Sequence, residues 1–498
     1  MNFIIKKIEF FLEKADNQHL TLTAIFYISL FFSNSNKTLL LLTGIYAVFT
    51  YIILKNVNLA AFLAFMITLP FAKGKALQIL ILPVKDINRF ALFDIEYFFP
   101  IYITDFFLSI LIYLYIRQRI TRVVKNEFIK SHQKLIPLSI SFIFFLMISI
   151  LKMLSSSFPE VILLSSIQLL KLFLIFLLSA TLINWKKHAT TLMSVVSGSL
   201  IFQSVWVILQ KINHGPLNKD LEVFLPNSRL GIVAAENNEI MRQTGTFFEP
   251  SILGTFLLIH VSMIGYVLLK NKLNKTQRNI YTAALILGLT AIVFTGSRAI
   301  YLMLILIGIW LIKKTKYQIK PLLNVLTRNK RLLFYSIVIS IIIFILTIPT
   351  LIQRLRTSSE LMASDGGIMY RIELAKYSTR LATKEFLGSG LNLSPYHFAT
   401  LFDGEKYIFD PAHPHNVFFQ VLAENGALGL VFFIIFVYSI FRPILIKKVA
   451  LDHFSLGALV FLLCAQIYPI FLNHPEILSY FFVYSGIHFQ KSLQNDRK

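Results

Sequence analysis

The sequence is short of cysteine, of charge and above all of acid. One cysteine, Cys464, stands in 498 residues, which excludes an intrachain disulfide and a cysteine-based metal centre. Charged residues make up 15% of the chain against 56% hydrophobic, and mean hydropathy is +0.68. A soluble chain of this length carries far more charge. Only 25 acids face 48 basic residues, for a formal charge of +23. That surplus does not form a nucleic-acid-binding face. It is divided into short runs between apolar segments, where it meets anionic lipid headgroups and fixes topology. There is no Gly-rich phosphate loop of the nucleotide-binding type. There is also no tandem repeat, no low-complexity tract and no soluble region of independent size.

What is present is apolar helix. Candidate spans cover 20–33, 38–54, 57–72, 100–116, 135–154, 159–182, 189–210, 250–269, 279–295, 299–313, 332–350, 417–441, 454–472 and 477–490, many of them near the roughly 20 residues that cross a bilayer. The expected fold class is all-α, a polytopic membrane bundle of about 12–14 transmembrane helices. Charges in the first residues, among them Lys6, Lys7 and Glu9, interrupt the apolar core that a cleaved signal needs. That stretch reads instead as a short amphipathic helix on the membrane surface.

Five loops are basic: Arg117 to Lys134, Lys186–Lys187–His188, Lys270 to Arg278, Lys313 to Arg331, and Arg442 to Lys448. The positive-inside rule makes all five cytoplasmic, and the spans place all five on one side, together with both termini. Loops 73–99, 211–249 and 351–416 then face outward. The chain divides into N-terminal spans 1–210, a region 211–490 carrying the last two outer loops, and a cytoplasmic tail 491–498. Loop 351–416 is the longest, and long structured loops usually have a function. Its 371–384 stretch reads as a helix between the turn signals Gly366–Gly367 and Gly388–Ser389–Gly390.

Four polar constellations stand out. His413-Pro414-His415-Asn416 ends the long loop and opens an apolar helix. Histidine takes or gives a proton near neutral pH, and Asn416 suits the helix N-cap; a plain polar turn also accounts for His413, Pro414 and Asn416. Arg242-Gln-Thr-Gly-Thr-Phe-Phe-Glu249-Pro250-Ser251 ends loop 211–249. Pro250 fits the first helical turn and Glu249 its positive end, which leaves Arg242 unexplained. Thr295-Gly296-Ser297-Arg298 joins two spans with almost no loop, so Arg298 lies near the outer surface, where it pairs or snorkels. Arg371 lies in the long outer loop. The topology sets Arg242, Arg298, Arg371 and His415 on one face. Guanidinium groups there grip a phosphate or pyrophosphate by bidentate bonds, and a nearby histidine supplies a base.

On these residues the chain resembles the bacterial O-antigen polymerase and O-antigen ligase superfamily of integral membrane glycosyltransferases. The resemblance rests on the Arg242–Ser251 motif, on Thr-Gly-Ser-Arg298, on His415-Asn416 leading to Glu424-Asn-Gly-Ala-Leu-Gly429, and on the large outer loop. It covers the chain from about Phe202 onward. It implies a metal-independent transfer without cofactor from a glycan on undecaprenyl pyrophosphate. Arg242 and Arg298 would hold the pyrophosphate, His415 would take the proton of the acceptor hydroxyl, and Arg371, Glu249, His413 and Asn416 would bind substrate. Implied partners are the lipid-linked donor and acceptor, membrane lipids and a chain-length regulator protein, at the outer face of the bacterial inner membrane. Ligases of the family tend to show Asn-Pro-Asn where this chain has Glu249-Pro250-Ser251, a form more like the polymerases. Ala299 stands where the family often has Gly.

Polymerisation of lipid-linked repeat units into O-antigen, capsule or exopolysaccharide is therefore the leading function. A ligase that moves finished glycan to a lipid acceptor is the alternative within the class, and a flippase the alternative outside it. A flippase needs charges along a passage through the bilayer, whereas mid-span ionisable residues are few, Lys152 and Lys171 being exceptions. Asp94 and Glu96 in loop 73–99 form a competing metal-binding pair. His413 with His415 lacks a third ligand.

Overall fold

The computed structural model describes residues 2–32, 35–71, 77–81, 98–123, 135–217, 233–235, 238–240, 242–247, 249–270, 273–314, 366–401, 413–446, 449–468, 472 and 474–495. The expected span 332–350 and the acids Asp94 and Glu96 lie outside these ranges. Within them the protein is a helical membrane bundle. Its helices are α1 (Asn2–Phe31), α2 (Asn36–Leu54), α3 (Val57–Thr68), α4 (Ile103–Val123), α5 (Leu135–Met153), α6 (Pro159–Thr181), α7 (Trp185–Ile212), α8 (Pro250–Lys270), α9 (Lys275–Phe294), α10 (Arg298–Lys314), α11 (Gly366–Lys384), α12 (Ser394–Leu401), α13 (Val417–Leu445), α14 (His453–Cys464) and α15 (Pro475–Asn495). Seven described helices, α2, α5, α6, α7, α8, α9 and α13, are long and apolar enough to cross a membrane; α3, α10 and α14 are shorter apolar helices.

The boundaries follow local chemistry. Ser35, Asn56, Asn274 and Asn416 accept backbone N–H groups at the starts of α2, α3, α9 and α13, and Asp452 with Ser455 forms a capping box at α14. Two features depart from expectation. The surface helix and first span at the N-terminus are one continuous helix, α1. Loops 73–99 and 211–249, expected to face outward, border or carry short antiparallel hairpins, β1 (Leu77–Ile81) with β2 (Phe98–Ile101), and β3 (Val233–Ala235) with β4 (Asn238–Ile240).

The chain forms two compact units, each drawn from two stretches: residues 1–74 with 186–363, and 75–185 with 364–498. In the first, α8 is buried along nearly its whole length and packs against α9 and α10. Close approach there needs small residues: a methyl group on Gly288 would meet Val261 and Leu200, and one on Gly254 would meet Ile300. A buried polar set ties α1, α2 and α7, with His19 bonding Ser194 at 2.9 Å and Tyr46 at 2.9 Å.

In the second unit α15 packs along α6, and α13 along α5. Phe142, Phe173 and Phe176 stack through its centre, and Phe436 meets Phe176 edge-on. The outward face of α13 carries Leu428, Val431, Ile434, Ile435 and Tyr438, all exposed. An apolar stripe of that length suits lipid rather than water. Lys152, which the structure places in the last turn of α5 rather than mid-span, and the mid-span Lys171 are both neutralised here. Lys152 pairs with Glu385 at 2.8 Å and Lys171 with Asp105 at 3.1 Å, as buried membrane charges require.

Candidate functional site

In the first unit, the segment that carries Arg242 is held from α7. Gln203 and Gln210 lie seven residues apart, on one face of that helix. Gln210 receives the Gly245 N–H at 2.9 Å and donates to the Gly245 carbonyl at 3.0 Å. Gln203 does the same for Thr246, taking its N–H at 3.2 Å and donating to its hydroxyl at 2.6 Å, and that hydroxyl donates to the Pro70 carbonyl at 2.9 Å. Gly245 has φ of +62°, and a Cβ there would lie 2.7 Å from the Gln203 amide oxygen. The turn therefore demands glycine on two counts.

This clamp delivers Arg242 to the turn between α9 and α10. Its Nε donates to the Thr295 carbonyl at 3.0 Å, and the Gln243 N–H donates to the Phe294 carbonyl at 3.3 Å. The turn itself passes through Gly296, with φ of +63°, and Arg298 opens α10 as an exposed side chain. Two arginines are thus brought to one turn at a helix N-terminus. The dipole of a helix favours an anion at such an end. Glu249 precedes α8 and accepts from the Ser251 hydroxyl at 2.9 Å.

The second unit holds Arg371, His413, His415 and Asn416. Asn416 caps α13 by accepting from the N–H groups of Phe418 and Phe419, and its amide donates to Gln466 at 3.0 Å. The Val417 N–H donates to the Ala465 carbonyl at 2.8 Å. The start of α13 is thereby pinned to the end of α14. His415 is half-buried beside this cap, while Arg371 is exposed on α11. Helix α11 packs down through Leu374 and Leu381 onto Phe398 and Ala423.

Helix α13 is broken at Gly426, with φ of +67° and ψ of −173°. The break leaves the carbonyls of Ala423 and Glu424 without helical partners. They accept instead from the N–H groups of Ser389 and Gly390, each at 2.8 Å. A Cβ on Gly426 would sit 2.0 Å from the Phe386 carbonyl oxygen, and one on Gly388 would sit 2.4 Å from the Glu424 backbone. The segment after α11 is therefore laid directly on the helix break.

Just before the break, Glu424 is fully buried. Its carboxylate accepts from the Ser394 hydroxyl at 3.0 Å and the Gln420 amide at 3.2 Å, and Nδ1 of the buried His413 lies 3.3 Å away. His397, on α12, has its pKa lowered by burial and by the Lys152 cation, with Glu385 opposing.

Residues 283–434 match the family model described as O-antigen ligase. The resemblance read from the motifs is borne out. The matched segment includes Arg298, Arg371, His413, His415, Asn416 and Glu424; Arg242 and Glu249 precede it. A protein of Rickettsia conorii (strain ATCC VR-613 / Malish 7) with the provisional name polysaccharide ligase is 28% identical over 130 residues, covering 24% of this chain and 32% of that protein. The match thus spans about a third of that relative's length.

Within the matched segment the sequence marks His413 as a residue of the turn or a substrate contact, and Glu424 only as part of a motif. The structure joins them in one buried cluster with Ser394 and Gln420. A signal for Glu424 was present, since an ionisable side chain inside an apolar helix points to function. Ser394 carried none, because its contact spans 30 residues of chain. Arg242, Glu249 and Arg298 belong to the first unit, and Arg371, His413, His415 and Asn416 to the second.

Proposed function

We propose that the protein is a glycosyltransferase of the bacterial cytoplasmic membrane. It joins undecaprenyl-pyrophosphate-linked oligosaccharide repeat units into a surface polysaccharide at the outer face. Arg242 and Arg298 hold the pyrophosphate and stabilise the charge that develops as it leaves. His415 removes the proton of the acceptor hydroxyl as that oxygen attacks. Arg371 and Glu249 contact donor or acceptor, and no metal takes part. A separate protein sets chain length.

The observation that carries this reading is the anchoring of Arg242 on the carbonyl of Thr295, three residues before Arg298 at the head of α10. Two guanidinium groups at a helix N-terminus are what a pyrophosphate requires. The O-antigen ligase match over 283–434 supports glycan transfer as the class of reaction. A second reading, a ligase that moves glycan to a lipid acceptor, is favoured by the names of the matched family and relative. The Glu249-Pro250-Ser251 form favours the polymerase.

Cells lacking the protein decide between transfer and transport. The proposal expects single repeat units outside the cytoplasmic membrane and no long chains. Units confined to the cytoplasmic side would make transport the better account. Long chains retained on the carrier lipid and never passed to a lipid acceptor would favour the ligase.

A further inference from the structure

Helix α11 and the two residues after it hold more base than acid. Within 371–386 the basic residues are Arg371, Lys376, Arg380 and Lys384, and the acids are Glu373 and Glu385. Glu373 pairs with Lys376 at 2.7 Å, and Glu385 is engaged by Lys152 of α5 at 2.8 Å. Lys376, Arg380 and Lys384 follow at intervals of four, so they form one row along the helix. All three are exposed, while Leu374, Ser378 and Leu381 are buried. Like charges four residues apart repel and weaken a helix. An anion lying along the row removes that cost.

Two contacts set the height of α11 against the bilayer. Lys152 stands in the last turn of α5, a helix long and apolar enough to span. Its bond to Glu385 brings the end of α11 to the boundary where that span stops. Leu374 and Leu381 share a cluster with Ala423. Two residues on, the Asn425 amide donates to Ser149, one turn before Lys152 on α5. At this level Leu154 and Phe386 are 78% and 68% exposed. They flank the Lys152–Glu385 pair within two residues on either segment. Large apolar side chains so exposed at a span's end suit acyl chains better than water.

We propose that the row Lys376, Arg380 and Lys384 docks on the phosphate headgroups of anionic phospholipids, in the leaflet at that end of α5, with Phe386 and Leu154 entering the acyl boundary. Basic residues at headgroup height beside exposed apolar ones are what a helix lying in an interface carries. From Lys384 to Lys376 the row runs about 12 Å along the helix axis, so it meets a surface of headgroups rather than one phosphate. The contact holds α11 at headgroup level, and with it the exposed Arg371. It does not depend on the transfer reading.

Hydrogen exchange on the full-length protein in nanodiscs tests this. Discs of phosphatidylcholine are compared with discs that also contain phosphatidylglycerol. Each basic residue near an anionic surface adds about fivefold to binding. Wild-type amides in 374–386 should therefore exchange about tenfold more slowly in the anionic discs, and high salt should shrink the difference. The triple variant Lys376→Gln, Arg380→Gln, Lys384→Gln keeps helix propensity and removes the repulsion. It should exchange no faster than wild type in the neutral discs and lose the response to anionic lipid. No response in the wild type, or an equal response in the triple variant, overturns the proposal. So does equal protection of α11 in neutral discs by soluble inorganic pyrophosphate, which would make the row a substrate contact. A second measurement leaves the charges in place. Cys464 is buried, so a nitroxide can be placed on Phe386→Cys. It should meet dissolved oxygen more readily than a water-soluble nickel chelate. Chelate access as high there as at Thr383→Cys would put the end of α11 in water and overturn the proposal.

Discussion

Arg298 shows how far a single residue could be read. Its place at the end of a near-absent loop predicts a position near the membrane surface, and the structure sets it exposed at the head of α10. An ammonium cannot reproduce a bidentate guanidinium grip, so Arg298→Lys should lose most glycan transfer while the protein stays in the membrane at its normal level. Retention of more than about half the wild-type rate would count against the pyrophosphate role. Arg242 has a second duty that its sequence neighbours did not disclose, the bond from Nε to the Thr295 carbonyl. Arg242→Lys removes Nε and should combine weaker transfer with a looser turn, visible as faster proteolysis at 295–298. Pro250 and Asn416 sit where local rules put them, because caps and first-turn prolines depend on adjacent residues alone. Glu424 and Ser394 escaped notice as a pair because their relation is tertiary.

At the scale of elements, the broken helix α13 is the feature on which the segment after α11 depends. Periodicity marked it as one span, since an apolar run reads the same on either side of Gly426. The break depends on a φ of +67° and on the contact with the Phe386 carbonyl. Left-handed backbone alone costs a non-glycine residue roughly 1–2 kcal/mol, and the contact adds to it. Gly426→Ala should therefore lower the thermal midpoint in detergent by several degrees. Gly308→Ala, at a helical site open to space, should leave it equal or slightly higher, since alanine is the better helix former. Equal midpoints for the two variants would refute the account of the break. A pH effect belongs to the same loop. His397 is neutral in the fold below the pH at which a free histidine gains its proton, because burial and Lys152 disfavour the charge. The unfolded chain then binds more protons as pH falls below about 6.5. The stability linked to this group is complete above that value and is lost on acidification through the lowered folded pKa. Between pH 7.5 and 5.5 the wild type should lose more thermal stability than His397→Gln does.

For the molecule as a whole, the spans and capped starts were legible because apolar length and cap residues act locally. The division into two interleaved units was not, because each joins stretches more than 100 residues apart. Sidedness rests on the basic loops, and thiol labelling reads it. Cys464 is buried, so the background is low. A cysteine at Thr383, exposed on α11, should react with an impermeant reagent in cells whose outer envelope is breached. One at Thr276, exposed at the start of α9, should not. The reverse pattern would invert the topology.

The central claim is that two arginines and a histidine transfer a glycan from lipid pyrophosphate without a metal. Purified protein, lipid-linked repeat unit and a strong chelator test it in one reaction. The account predicts undiminished product from the wild type and product lowered by roughly 10²–10⁴-fold from His415→Gln, which cannot accept the proton. Loss of wild-type product on chelation, or full product from His415→Gln, would contradict it.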